Sequence, residues 1–317
     1  MRATAPGKLF LLGEYAVLEG APAIVTSVAQ QASVEVTAGT GRVCMKSGTT
    51  TSESVGKVPI IQATTRVLAT RGLQVPDPSG LDFCLDTSEF FRGHDKLGLG
   101  SSAALTVALL RALVPLPANE ASLALAIACH REFQGGTGSG ADIAAALAGG
   151  CIEFRAGQFP RQVSLPAGIQ VSFVWTGRGT GTVPYLTQLN RWRQANPTAY
   201  NELLEQLTEL AESGVTACRA NNPVQFIRSV AAYNSALRRL SDTSATDFYT
   251  ATHVSLADIA AQSGCTYKPS GAGGGDFGVA FATAAEPIHS FATEVLALGY
   301  DPNIASLSPG TGREEPA

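Results

Sequence analysis

The hydrophobic pattern of the first hundred residues is one of short apolar runs separated by turn residues. Leu9 to Leu12 and Ala23 to Val28 are continuous apolar runs, and Ala32 to Thr37 alternates apolar with polar positions as a half-buried hairpin arm does. These runs predict an antiparallel sheet. Residues 38–58, rich in Gly, Thr and Ser, predict an irregular hairpin or a mobile loop. Helical spacing follows over Val58 to Arg71, Ala103 to Leu113 and Ala118 to Phe133. The last of these carries a cap at Asn119 and apolar residues all round, so it is expected to be buried. Between them Leu81 to Asp86 reads as a strand. A short Ala-rich helix is expected after Asp142, then strands at Cys151 to Arg155 and Ile169 to Trp175, with the connection Pro160 to Gly168 taken as a domain boundary. The chain then turns helical, over Val183 to Gln194, Thr198 to Ala220, Pro223 to Leu240 and Asp247 to Ser263. Trp192, Tyr200, Phe226 and Tyr233 fall at core spacings there. A strand at Phe277 to Ala282, a helix at Glu286 to Leu298 and a Gly-Pro-rich tail close the chain, and no internal repeat is visible. The whole predicts an α+β protein of two domains, residues 1–166 and 167–317.

Composition narrows the partners. With 317 residues and 45% hydrophobic content, two ordinary cores can be filled. Charged residues make up only 15%, so a charge beside a loop carries more information than usual. A net charge of −4 without a basic run argues against nucleic acid, whose binding draws on clustered Lys and Arg. Six scattered cysteines, with no C-x-x-C pair, point to reduced thiols, a cytoplasmic location and no structural zinc. No signal-like or membrane-spanning stretch is apparent, so the expected partner is a small molecule rather than a membrane, and the expected state a monomer or homodimer.

Three glycine-rich stretches stand out. Lys96-Leu-Gly-Leu-Gly-Ser-Ser-Ala103 runs into an apolar helix. Gly98 and Gly100 permit a tight turn, and the free amides of the helix start, with its dipole, form a cradle for phosphate. The same residues satisfy the dinucleotide pattern G-x-G-x-x-G/A, although Thr87 to Asp95 stand between this stretch and the preceding strand, and a plain Gly-Ser loop opening a helix is the simplest alternative. Gln134 to Gly150 holds four glycines within 135–140 and brings Ser139 and Asp142 to a helix start, where capping alone also accounts for a carboxylate. Lys268-Pro-Ser-Gly-Ala-Gly-Gly-Gly-Asp276 is the third stretch. Near the N-terminus Pro6-Gly-Lys8 enters the first strand, and local pattern leaves Lys8 a solvated turn residue.

Pro6-Gly-Lys-Leu-Phe-Leu-Leu-Gly-Glu-Tyr15, Gly98-Leu-Gly-Ser-Ser-Ala-Ala104 and Lys268 to Asp276 together resemble the three motifs of the GHMP kinases, in order and spread from residue 5 to about 282. Asp86-Thr-Ser-Glu89, Lys96, His130, Gln134, Gly138-Ser-Gly-Ala-Asp142 and Trp175-Thr-Gly177 are most similar to the members that phosphorylate 5-phosphomevalonate. Gly136 and Ala141 depart from that pattern, where a lysine and an aromatic are common. The resemblance implies an N-terminal domain like ribosomal protein S5 domain 2, a C-terminal ferredoxin-like domain and a cleft between them that takes ATP and Mg²⁺. It implies Lys8 and Asp142 as catalytic residues; Lys96, Gly98, Leu99, Gly100, Ser101, Ser102 and Ala103 around ATP, with Ser102 on the metal; and Tyr15, Ser139, Gly140, Arg178, Ser270, Gly271 and Ala272, beside Lys8 and Asp142, around phosphomevalonate. Mevalonate kinases or other small-alcohol kinases, a decarboxylase of the same family and a non-catalytic metabolite sensor remain alternatives, as does an oxidoreductase resting on Gly98 to Ala103 alone.

Overall fold

The structure is a computed structural model that describes residues 1–136, 138–179 and 182–307. The part of the Gly-Pro-rich tail from 308 onward lies outside the described residues.

The chain opens with β1 (Arg2–Leu12) and β2 (Ala23–Ala38), followed by a hairpin of β3 (Arg42–Ser47) and β4 (Thr49–Ser54). Then come α1 (Pro59–Thr70), β5 (Leu81–Asp86) and the two-residue strands β6 (Phe91–Arg92) and β7 (Asp95–Lys96). Helices α2 (Ser101–Leu113), α3 (Glu120–Gln134) and α4 (Ala141–Ala148) lead to β8 (Cys151–Phe154) and β9 (Arg161–Gln162). The remainder is β10 (Gln170–Trp175), α5 (Thr182–Ala195), α6 (Pro197–Arg219), α7 (Pro223–Ser244), α8 (Ala251–Gln262), β11 (Thr266–Ser270), β12 (Phe277–Ala282) and α9 (Ala285–Ala297).

The expected α+β class holds, with one correction at its centre. Ala23 to Val28 and Ala32 to Thr37 are not separate strands but one 16-residue strand. β1 pairs antiparallel along one edge of β2, while the other edge is divided between β8, opposite Ala23–Thr26, and β5, opposite Ser33–Ala38. Within residues 38–58, β3 and β4 form a regular hairpin, docked parallel onto β5 through β3. Helices α2 and α4 cover this seven-stranded sheet with their apolar faces.

The second sheet is three-stranded and antiparallel among the described residues, in the order β10-β12-β11. Its central strand β12 is buried at every position, as a strand covered on both faces must be. One hydrophobic core runs from the first sheet into α6 and α7, and a smaller one lies between the second sheet and α8 and α9. Gly214 of α6 lets that helix touch β1, since a Cβ there would come within 2.2 Å of Leu12. All six cysteines are free thiols, and among the described residues no helix is long and apolar enough to cross a membrane.

Candidate active site

The site forms where three backbone turns press together, and glycine is what lets them meet. In β1 a register shift sits between Pro6 and Lys8. A Cβ on Gly7 would lie 2.7 Å from the Phe90 ring and 2.8 Å from the Leu99 carbonyl, so only glycine brings this turn against the second loop. The Lys8 amide then donates to that Leu99 oxygen at 2.8 Å. Lys8 is not a solvated turn residue: it is 8% exposed, its Nζ lies 3.5 Å from Asp142 Oδ1, and its stem runs along Gly100.

Gly98 and Gly100 both adopt left-handed backbone, at φ 80 and 78°. Gly100 caps α2 without any side-chain hydrogen bond, so the first turn of the helix keeps amides that can face an anion. Leu97, Leu99, Ala103 and Ala104 are buried and anchor the loop from below. The Ser102 hydroxyl accepts a 2.8 Å hydrogen bond from Gln134 Nε2 and lies 3.1 Å from His130 Nε2. Those two side chains stand one turn apart on α3 and so share a face. Burial pushes the His130 imidazole below its ordinary value, against the opposing pull of Asp142, which keeps the ring neutral at pH 7. Asp142 sits in the first turn of α4, where the helix dipole favours a carboxylate. Ser139 spends its hydroxyl on the Ala141 amide at 3.2 Å.

The third loop grows from β11, a strand that the polar composition of Lys268-Pro-Ser conceals. Ser270 Oγ accepts from the Phe10 amide at 3.0 Å and donates to the Phe10 carbonyl at 2.9 Å. The Tyr15 hydroxyl donates to the Ala272 carbonyl at 2.5 Å, and burial holds this phenol well above its usual range, so it stays a donor. Lys268 forms an ion pair with Glu14. These contacts fasten the first strand to the third loop.

Two cavities open at this junction. The larger, about 640 Å³, is lined by Lys96, Gly98, Gly100, Ser101, Ser102 and Asp276. The smaller, about 170 Å³, is lined by Phe10, Glu14, Tyr15, Ile127, His130 and Ser139, with Arg131 and Leu186 also on its wall. Lys8, Gln134, Asp142, Gly271 and Ala272 belong to both. One hollow therefore has a helix start and lysines suited to a polyphosphate, and the other is shaped for a short, partly apolar acceptor.

Most of the residues singled out in the sequence converge here. Leu99 and Ala103 support the loop from within the core, and Gly140 caps α4 beside the smaller cavity. The hydroxyl of Ser270 is committed to Phe10 although the residue borders the larger hollow. Arg178 lines neither cavity; its carbonyl receives the Asp276 amide at 2.7 Å. Glu14, Arg131, Ile127 and Leu186 were not singled out as site residues. A lone acidic residue in a turn, an arginine late in a helix and two aliphatic positions give no local sign of facing a ligand.

A model of the GHMP kinases N terminal domain matches residues 88–150. A phosphomevalonate kinase of Streptomyces sp. (strain CL190) is 29% identical, with 88% of this chain and 89% of that one covered. Among solved structures, the Lin0012 protein of Listeria innocua superposes with a TM-score of 0.82 at 24% identity over 98% of both chains. A Streptococcus pneumoniae phosphomevalonate kinase in complex with phosphomevalonate and AMPPNP gives a TM-score of 0.79 at 21% identity, over 97% of this chain and 100% of that one.

Proposed function

We infer that this chain, a member of the GHMP kinases, transfers the γ-phosphoryl group of ATP to 5-phosphomevalonate and so makes 5-diphosphomevalonate in isoprenoid synthesis. The observation that carries this reading is the Lys8–Asp142 pair at 3.5 Å, standing where the two cavities join. The division into residues 1–166 and 167–317 assigns the first two glycine loops to one domain and the third to the other.

Phosphoryl transfer demands position and charge stabilisation more than covalent help. The start of α2, with Gly98 to Ala103, holds the phosphate tail of ATP, and Lys96 adds a cation at its edge. Lys8 meets the charge that develops on the transferring group. The acceptor is a phosphate monoester with a second pKa of about 6, so its attacking oxygen is already largely ionised at pH 7. Asp142 then serves to orient Lys8 and the acceptor rather than to remove a proton. Tyr15, Ser139, Gly140, Gly271 and Ala272 form the acceptor side, with Ser270 as the fastener behind them.

A magnesium ion fits the donors present. Ser102 offers a hydroxyl oxygen at the helix start, and among the described residues no group of three or more His, Cys, Asp or Glu could hold a metal alone. A hard cation held mainly by phosphate oxygens and water needs few protein ligands. Ser102 would hold it, exchanging its present contacts, and the ion would neutralise charge on the phosphates. The cytoplasm is the expected compartment.

Purified protein with ATP and Mg²⁺ should release ADP with phosphomevalonate at a rate far above that with mevalonate. Turnover of mevalonate alone would assign the small-alcohol reading, for which a carboxylate beside Lys8 is suited as a general base.

A further inference from the structure

Glu14 is among the residues that line the acceptor cavity, with its carboxylate buried behind the wall. Glu14 is 2% exposed; one oxygen meets Lys268, and the other, Oε2, is buried with no hydrogen-bond partner. Lys268 is 0% exposed and donates also to the Pro269 carbonyl at 2.7 Å. Taking an ion pair out of water costs much of what its attraction returns, so such a pair is weak evidence for stability. Its place suggests another use. Glu14 lies in the turn Gly13–Tyr15, whose Tyr15 holds an unusual φ of 63°, and Lys268 lies in the strand that feeds the third loop. An anionic acceptor entering beside an uncompensated carboxylate would be repelled.

We propose that Lys268 is a positioning residue that neutralises Glu14 and thereby admits an acceptor carrying both a carboxylate and a phosphate; this rests on the proposed function. Other groups facing Glu14 do not supply that charge. Tyr233 of α7 donates its hydroxyl to the Glu14 carbonyl at 2.6 Å, and Tyr15 is a neutral phenol. Across the cavity Lys8 is engaged by Asp142, His130 is turned to the Ser102 hydroxyl at 3.1 Å, and Arg131 is exposed at the end of α3. Lys268 lines neither cavity, so it reaches the acceptor only through Glu14 and through the Pro269 carbonyl at the root of the third loop.

The test compares full-length wild type with Lys268→Met, Glu14→Gln and the double variant, reading phosphomevalonate and ATP in separate steady-state titrations. Unscreened repulsion at cavity distances is large enough that Lys268→Met should raise the phosphomevalonate KM about 30-fold or more. The ATP KM should move less than about 3-fold. Adding Glu14→Gln to Lys268→Met should restore at least a tenfold part of the loss. Glu14→Gln alone should raise the phosphomevalonate KM less than Lys268→Met does, because it leaves a cation rather than an anion unopposed. A simple structural clamp predicts equal damage from both single variants, no restoration in the double and parallel changes for ATP; that result overturns the proposal. If Lys268→Met does not fold, Glu14→Gln and the double variant decide by which KM moves: a phosphomevalonate KM that moves apart from the ATP KM keeps the proposal, and parallel changes overturn it. Absence of phosphomevalonate turnover by wild type would instead reject the proposed function, and this inference with it.

Discussion

Replacing Lys8 by Met is the sharpest test of the site. Lys8 lines both cavities and is nearly buried, so its ammonium acts across a poorly screened space. At about 4 Å and an effective dielectric of about 20, a unit charge is worth about 4 kcal/mol to a developing phosphoryl charge. That converts to a fall in kcat of about 10³-fold. Stability should change little, because Asp142 is 38% exposed and water screens the charge left behind to within about 1 kcal/mol. Lys8→Arg should also lose most activity, since residue 8 is only 8% exposed and its stem runs along Gly100, which leaves a planar fork little room to be aimed as the ammonium is. The assay is ADP release at saturating ATP and phosphomevalonate, beside a thermal melt. A folded Lys8→Met variant with kcat within tenfold of wild type would refute the reasoning.

Asp142→Asn should lose about 10- to 100-fold in kcat, less than Lys8→Met, because an ionised acceptor needs no base; equal collapse of both variants at saturating substrate would restore a general-base role. Gly98→Ala should cut kcat/KM for ATP by at least about tenfold and lower Tm, since φ is 80° and the new Cβ would stand 2.3 Å from the Asp276 carboxyl carbon; wild-type ATP kinetics in that variant would show that the loop re-forms around it. His253 makes a pH prediction. Burial lowers this imidazole from 6.5 to about 4, and its ring joins the Tyr267 hydroxyl at 2.8 Å to the Gly275 carbonyl at 3.2 Å. The folded state thus binds the proton later than the unfolded chain, so the stabilisation is complete above pH 6.5 and is lost as pH falls towards 4, by about 3 kcal/mol in all. Denaturant titrations at pH 7 and 4.5 should show this loss and a flatter profile in His253→Gln; identical profiles would contradict it.

The glycine loops were legible because left-handed backbone and close approach leave a mark in residue type. Gly98, Gly100 and Gly140 all have positive φ, and Gly100 and Gly140 cap α2 and α4. Continuity of β2 was not legible. Its edge partners change over between Thr26 and Ser33, so Gln30 and Gln31 are partly exposed and imitate a turn. β11 was hidden for the opposite reason: its buried lysine is neutralised by Glu14, 254 positions earlier. The helix expected at Asp247 to Ser263 starts at Ala251, where Thr250 supplies the cap, because Thr246 is tied back to α7 through Ser241 and Ser244. Tyr233, read as packing, also uses its hydroxyl on Glu14. Local pattern carries turns and caps; it does not carry partners brought from the far end of the chain.

Lys8, Gln134, Asp142, Gly271 and Ala272 border both hollows, which sets the two chambers side by side along a shared edge. A single inhibitor with a nucleotide at one end and a short acidic chain at the other could thread from one chamber into the next. Its linker would have to be no longer than the phosphates it imitates.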